Sequence, residues 1–328
     1  MDAKIALEEH FAIPEYNQVR PFFLGEPTWA DVQRRIVDFE ELRLPGMDAA
    51  GIRYAVVSLT SPGVQGETDA AQAVDRARVS NDALAEAVSR HPDRFGGFAA
   101  VALQDVDAAV TELRRAVTEL GFHGVLVNSW TDLPGGGTGH LDDARMEPFW
   151  AELARLGVPL YLHPRTLPAG QREVMAGRPE LAGPVWEFTS DSSASMLRLI
   201  TSGVFDRHPA VQVVLGHLGE SLPFNIWRIE NRMHKAADRV DLQRPLSAYL
   251  RSNVHVTTSG HFCTPSLQAT LAVMGPERVM FSVDYPYDEM PQASEWFDDP
   301  ALAGLLGQDV LTRVGARNAA RLLRLPEA

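Results

Sequence analysis

The sequence predicts a (β/α)₈ barrel in a single domain, 1–328. Three observations lead there: eight short apolar, β-branched runs recur along the chain, segments of helical period separate them, and no linker or internal repeat interrupts the series. Most runs are continuously apolar, as strands covered on both faces are. An open doubly wound sheet is the alternative that the same alternation allows.

The first run, 4–7, leads into "EEH" and then "FAIPEYNQVRPFFLGEPTW", an irregular aromatic insertion spanning about 11–29. A second strand is expected at 54–59. After it "TDAAQAVDRARVSNDALAEAVSRHPDRF" reads as a helix capped by Thr68 or Asp69 and stopped at Pro92. Strand three, 98–103, precedes a helix that starts at Asp105 and stops at Gly121. Strand four, 124–127, is followed by a Gly-rich insertion, about 131–143, containing "LPGGGTGHLDD". Strands at 159–162, 211–215, 254–257 and 279–283 complete the eight, with helices at 146–156, 191–201, 264–274 and 309–323. In a barrel both insertions follow strand C-termini, on the face where βα loops build active sites.

Composition excludes several classes of function. Apolar and charged fractions of 45% and 22% are those of a globular chain. Thirty basic against 43 acidic residues give a net charge of −13, and no basic run stands out, which argues against nucleic-acid or anionic-membrane partners. The one cysteine, Cys263, permits no intramolecular disulfide and no Cys-based zinc cluster, and fits a reducing compartment. With acids near the N-terminus and no uncharged apolar stretch of about 18 residues, the expected location is the cytoplasm.

Polar residues gather where the strands end: Glu8 and His10 after the first, His163 after the fifth, His217 and Glu220 after the sixth, Asp284 after the eighth. Residues two apart in a strand share a face, so Glu8 and His10 point together and Glu9 points away. Neutral imidazoles and carboxylates are ligands for zinc, manganese or iron, and a set drawn from separate strands leaves positions open for water or substrate. His217 and Glu220, three apart, are expected to form a supporting catalytic pair in which His217 hydrogen-bonds substrate or Asp284 and the Glu220 carboxylate sets the imidazole tautomer. His91, His123, His208, His234, His255 and His261 are expected to be structural.

Taken in order, "ALEEHFAIPE", "GVLVNSW", "YLHPR", "LGHLGE", "NIWRIENR" and "FSVDYPYD" resemble, nearly end to end, the metal-dependent decarboxylases of the amidohydrolase superfamily. Within them the likeness is greatest to the branch acting on 2,6- and 2,3-dihydroxybenzoate. The resemblance implies one divalent ion, Zn²⁺ or Mn²⁺, held by Glu8, His10, His163 and Asp284. The superfamily more often opens with His-x-His, whereas this chain has the Glu-x-His variant. Asn128 stands after the fourth strand, where no lysine is present to bridge two metals, so a binuclear hydrolase is disfavoured.

The implied reaction is reversible, nonoxidative decarboxylation of an ortho-hydroxybenzoate. Direct loss of CO₂ would leave an aryl anion in the ring plane, out of reach of the π system, so the carbon must be protonated first. The resemblance makes Asp284 the proton donor. It further implies that Phe23 covers the substrate ring, that Asn128 meets a substrate hydroxyl, and that Arg228 reaches a neighbouring subunit's site in a homodimer or homotetramer. The rival readings are a hydrolase of a lactone, ester or amide, with Asp284 as base toward water, and a ligand-binding barrel without catalysis.

Overall fold

The computed structural model describes residues 4–16, 20–236 and 240–325. Eight strands pair in chain order, each adjacent pair parallel: β1 (Lys4–Phe11), β2 (Ile52–Leu59), β3 (Phe95–Ala99), β4 (Gly124–Asn128), β5 (Leu160–His163), β6 (Val213–Leu215), β7 (Val254–Thr257) and β8 (Val279–Met280). Helices connect them, as the (β/α)₈ expectation requires. Ile5, Leu7, Val56, Phe98, Leu126, Tyr161, Val214 and Met280 meet in one interior cluster, each large side chain contributing about 2 kcal/mol by burial. Ala316, Ala319, Ala320 and Leu323 of the C-terminal helical segment pack onto that cluster.

The seam between first and last strands is closed by individual bonds. The Ser282 hydroxyl oxygen accepts from Leu7 N–H at 3.0 Å and Glu8 N–H at 2.7 Å; Asp284 N–H donates to Glu8 O at 2.9 Å, and His10 N–H to Tyr285 O at 2.7 Å. Against β2, Ala6 pairs with Ala55 and Glu9 with Val57, so β1 carries one extra residue. This bulge shifts the alternation, and Leu7 in the interior cluster is followed by Glu8 and His10 at the barrel mouth. Glu9 points away, taking Val283 N–H and Tyr285 N–H at 3.0 and 3.1 Å.

Several boundaries differ from the sequence pattern. β1 runs on through Phe11, placing Glu8 and His10 inside the strand, and β3 begins at Phe95 rather than 98. The Gly-rich insertion holds an antiparallel hairpin, Trp130–Asp132 with Thr138–His140. Within the first insertion a helix starts at Glu26, while residues 17–19 lie outside the described residues. Among the described residues no helix is long and apolar enough to cross a membrane.

Candidate metal centre and active site

Glu8 and His10 from β1, His163 at the end of β5 and Asp284 beyond β8 each bring one ligand atom to a cluster, all four atoms within 4.8 Å of one another. His10 Nε2 lies 3.2 Å from Asp284 Oδ1, and His163 Nε2 lies 3.5 Å from Glu8 Oε1. Glu8 Oε1, His10 Nε2 and Asp284 Oδ1 are buried and make no hydrogen bond. Buried polar atoms left in this way cost about 1–3 kcal/mol each, so three at one point call for an occupant.

The tautomers say which occupant. His163 Nδ1 is 2.8 Å from Pro164 O, which can only accept, so Nδ1 carries the hydrogen and Nε2 presents a lone pair to the Glu8 carboxylate. Burial, reinforced by the His10 charge, pushes His163 down to about 4, which keeps that ring neutral. One proton could satisfy only one of the facing pairs. A divalent cation satisfies all four atoms, and two imidazoles with two carboxylates suit Zn²⁺ or Mn²⁺.

Glu8 offers one oxygen because the other is taken. Its Oε2 accepts from the hydroxyls of Tyr161 and Ser259, and from Thr257 at 3.3 Å. The three hydroxyls are themselves linked, Tyr161 to Thr257 at 2.8 Å and Thr257 to Ser259 at 2.9 Å. A Cβ on Gly216 would stand 2.6 Å from the same oxygen, so the close approach requires glycine there. Sequence reasoning missed this group, although Tyr161 shares strand parity with His163, and Thr257 with Ser259.

His217 faces the cluster from the loop after β6. Its Nδ1 donates to Glu220 Oε1 at 2.7 Å, which turns Nε2 toward Glu8 Oε1 and Asp284 Oδ2, both 3.7 Å away. Burial opposes its charge, but the carboxylates of Glu220, Glu8 and Asp284 outweigh burial and raise His217 well above the usual imidazole range. Burial likewise works against a charged Asp284, and the imidazoles of His10 and His217 outweigh it, holding that carboxyl below its usual range. His217, Leu218, Glu220 and Asp284 all have positive φ, at 52°, 56°, 57° and 82°. Such backbone costs about 1–3 kcal/mol per residue and collects at functional sites.

A family model described as amidohydrolase matches residues 10–325. The chain belongs to the amidohydrolase family. It is 44% identical to the γ-resorcylate decarboxylase of Rhodococcus jostii (strain RHA1), over 99% of each chain. Its structure matches a crystal structure of 2,6-dihydroxybenzoate decarboxylase complexed with 2,6-dihydroxybenzoate, with a TM-score of 0.95 and 40% identity over 99% of this chain and 100% of that one. A dihydroxybenzoic acid decarboxylase from Polaromonas sp. JS666, with bound manganese and the inhibitor 2-nitroresorcinol, matches at TM-score 0.95 and 36% identity, over 100% and 98%.

In this amidohydrolase the cluster opens into a cavity of about 940 Å³, lined among others by His163, His217, Asp284, Tyr287, Asp288 and Phe23. Phe23 stands edge-on to Phe188 with centroids 5.6 Å apart and rests on Gly183. Asn128 is not among the residues that line the cavity, and its Nδ2 donates to Pro62 O and Gln65 Oε1 at 2.9 and 3.0 Å. Its Oδ1 instead accepts from His163 Nδ1 at 3.2 Å. Arg228 is exposed on helix Leu222–Met233 and does not line this chain's cavity. Of the remaining histidines, His123 pairs with Tyr54, His208 with Glu147 and His255 with Arg278, at 2.8, 2.7 and 2.9 Å.

Proposed function

We propose that this chain catalyses the metal-dependent, nonoxidative decarboxylation of an ortho-hydroxybenzoate such as 2,6- or 2,3-dihydroxybenzoate, giving the phenol and CO₂ and running backward at high bicarbonate. The observation that carries the reading is the convergence of Glu8 Oε1, His10 Nε2, His163 Nε2 and an Asp284 oxygen beside an aromatic-covered cavity, in a chain related to γ-resorcylate decarboxylases.

Those four residues would hold the ion. Bound there, Mn²⁺ or Zn²⁺ would supply Lewis-acid charge and an anchor for the anionic substrate. Asp284 delivers the proton to the carbon that bears the carboxylate. Because Asp284 itself is held ionised, that proton is drawn from His217, whose Nε2 lies 3.7 Å from Asp284 Oδ2. Glu220 accepts from Nδ1, which favours the doubly protonated ring and aims its Nε2 hydrogen at Asp284. The ortho oxygen feeds electron density into the ring as the carbon is protonated; the C–C bond then breaks, CO₂ leaves and aromaticity returns. Phe23 covers the ring, and Asn128 orients His163 rather than binding substrate.

Association into a homodimer or homotetramer and residence in the cytoplasm belong to the same proposal. The first is supported by Phe224 and Trp227, 84% and 75% exposed on the helix that carries Arg228. The second is supported by the single cysteine.

The test is NMR of metal-supplemented protein with a hydroxybenzoate panel in D₂O. Deuterium at the carbon that lost its carboxylate, abolished by a chelator, is expected. Intact rings together with turnover of lactones or amides would replace the proposal with a hydrolase acting through Asp284 and water.

A further inference from the structure

Among the described residues that line the cavity is an acidic side chain, Asp288, that neither the proposed chemistry nor another side chain engages. Asp288 lies one turn beyond Asp284, its N–H donating to Asp284 O at 3.1 Å. Its carboxylate sits beside the reacting groups: a Cβ built on Gly260 would stand 3.0 Å from Asp288 Oδ2, 3.3 Å from His217 Cδ2 and 3.8 Å from Asp284 Oδ2.

Every other charged group lining the cavity is engaged. Arg20 pairs with Glu26 at 3.2 Å, Arg165 with Asp132 at 3.0 Å, and Arg76 with Glu67. His217 is bonded to Glu220, while His163 and Asp284 belong to the metal cluster. Among the described residues that line the cavity, Asp288 alone of the charged groups has no side-chain hydrogen bond or ion pair. Its side chain is half-buried beside His217 and Asp284 and has no donor of its own. A group in that position gains most from a neutral hydrogen-bond donor and loses most to a second anion.

We infer that Asp288 accepts a hydrogen bond from a second ring hydroxyl of the bound aryl acid, distinct from the ortho hydroxyl that the proposed reaction requires. It thereby selects a dihydroxy acid over acids with hydrogen or a second carboxylate in that place. The inference rests on the decarboxylase reading for the way the ring is anchored. It assigns Asp288 a role in specificity and none in proton transfer.

The experiment compares two unreactive ligands differing by one hydroxyl, 2-nitroresorcinol and 2-nitrophenol, titrated calorimetrically into manganese-loaded protein. A hydrogen bond to a charged acceptor makes the wild type bind 2-nitroresorcinol about tenfold more tightly. Asp288→Ala abolishes that preference. Asp288→Asn, nearly isosteric but uncharged, reduces it to about threefold and improves binding of 3-hydroxyphthalate, which carries a carboxylate in the place of the second hydroxyl, with manganese content unchanged by atomic spectroscopy. The kcat/KM ratio of 2,6-dihydroxybenzoate to 2-hydroxybenzoate falls in parallel. A full preference persisting in both variants overturns the inference, as does a wild type that binds the two ligands equally or not at all. Failure of the decarboxylase reading has a different signature, since no aryl acid would then lose CO₂ with any variant.

Discussion

His163 Nε2 and Glu8 Oε1 face each other across 3.5 Å, both as acceptors, because Pro164 O fixes the imidazole hydrogen on Nδ1. Two lone pairs so placed repel until a cation lies between them, so the metal contributes to stability as well as to chemistry. Dialysis against a chelator is expected to lower the unfolding temperature and abolish turnover, with Mn²⁺ or Zn²⁺ restoring both. Free metal at 100 times its Kd corresponds to about 2.7 kcal/mol. An unfolding temperature indifferent to chelator and to both ions would remove the metal from this site.

Tyr161 tests how Glu8 is presented. Its hydroxyl is one of the donors that occupy Glu8 Oε2 and leave Oε1 for the metal. Tyr161→Phe is expected to cost about 1.5–3 kcal/mol of stability, because a buried bond to a charged acceptor is lost. Metal affinity should fall about tenfold or more, as it does when partners of a ligand are removed. Manganese titration followed by electron paramagnetic resonance measures this directly, and an unchanged dissociation constant would show that Thr257 and Ser259 suffice.

The four residues that cluster were legible because chemistry and position coincide: imidazoles and carboxylates gathered at the ends of several apolar strands have few other uses. The shared face of Glu8 and His10 followed from alternation. The phase of that alternation did not, since the bulge that sets it depends on Ser282, 274 residues away from Glu8. β3 was read three residues late for a related reason. Gly96 and Gly97 argue against a strand by propensity, yet Cβ atoms there would meet Tyr54 Oη at 2.5 Å and Phe122 at 2.7 Å. Asn128 stood out as a polar residue at a strand end; that its amide is spent on Pro62, Gln65 and His163 depends on loops no local pattern describes. Asp288 was visible only as a neighbour of Asp284.

His217→Asn separates catalysis from metal binding. The variant keeps a polar group of similar reach but cannot hold a mobile proton, so kcat is expected to fall about a hundredfold or more. The four proposed ligands remain, and metal content should match the wild type. Full activity would dismiss His217 as the source of the proton.

Gly183→Ala tests the aromatic cover. Gly183 has φ of +62°, and an added Cβ would lie 2.6 Å from the Phe23 ring. The left-handed backbone alone costs about 1–2 kcal/mol for alanine. Displacement of Phe23 should raise KM while leaving metal content unchanged. A variant that loses stability but keeps the wild-type KM would show that Phe23 does not hold the substrate.

His255 predicts how stability responds to acid, away from the metal. Burial, with the Arg278 and Arg321 charges adding to it, pushes His255 down to about 3, and its Nε2 accepts from Arg278 at 2.9 Å. The unfolded chain protonates the same ring near 6.5. Between those values the unfolded state binds the proton and the folded state does not, so stability from this residue is complete above about 6.5 and is lost progressively as pH falls toward 3. The slope approaches about 1.4 kcal/mol per pH unit for one proton. His255→Gln retains an acceptor for Arg278 but cannot titrate, so urea unfolding from pH 7 to 4.5 should show a shallower loss than the wild type. Parallel losses in the two proteins would mean that the ring takes up its proton without unfolding, and that Arg278 moves aside to let it.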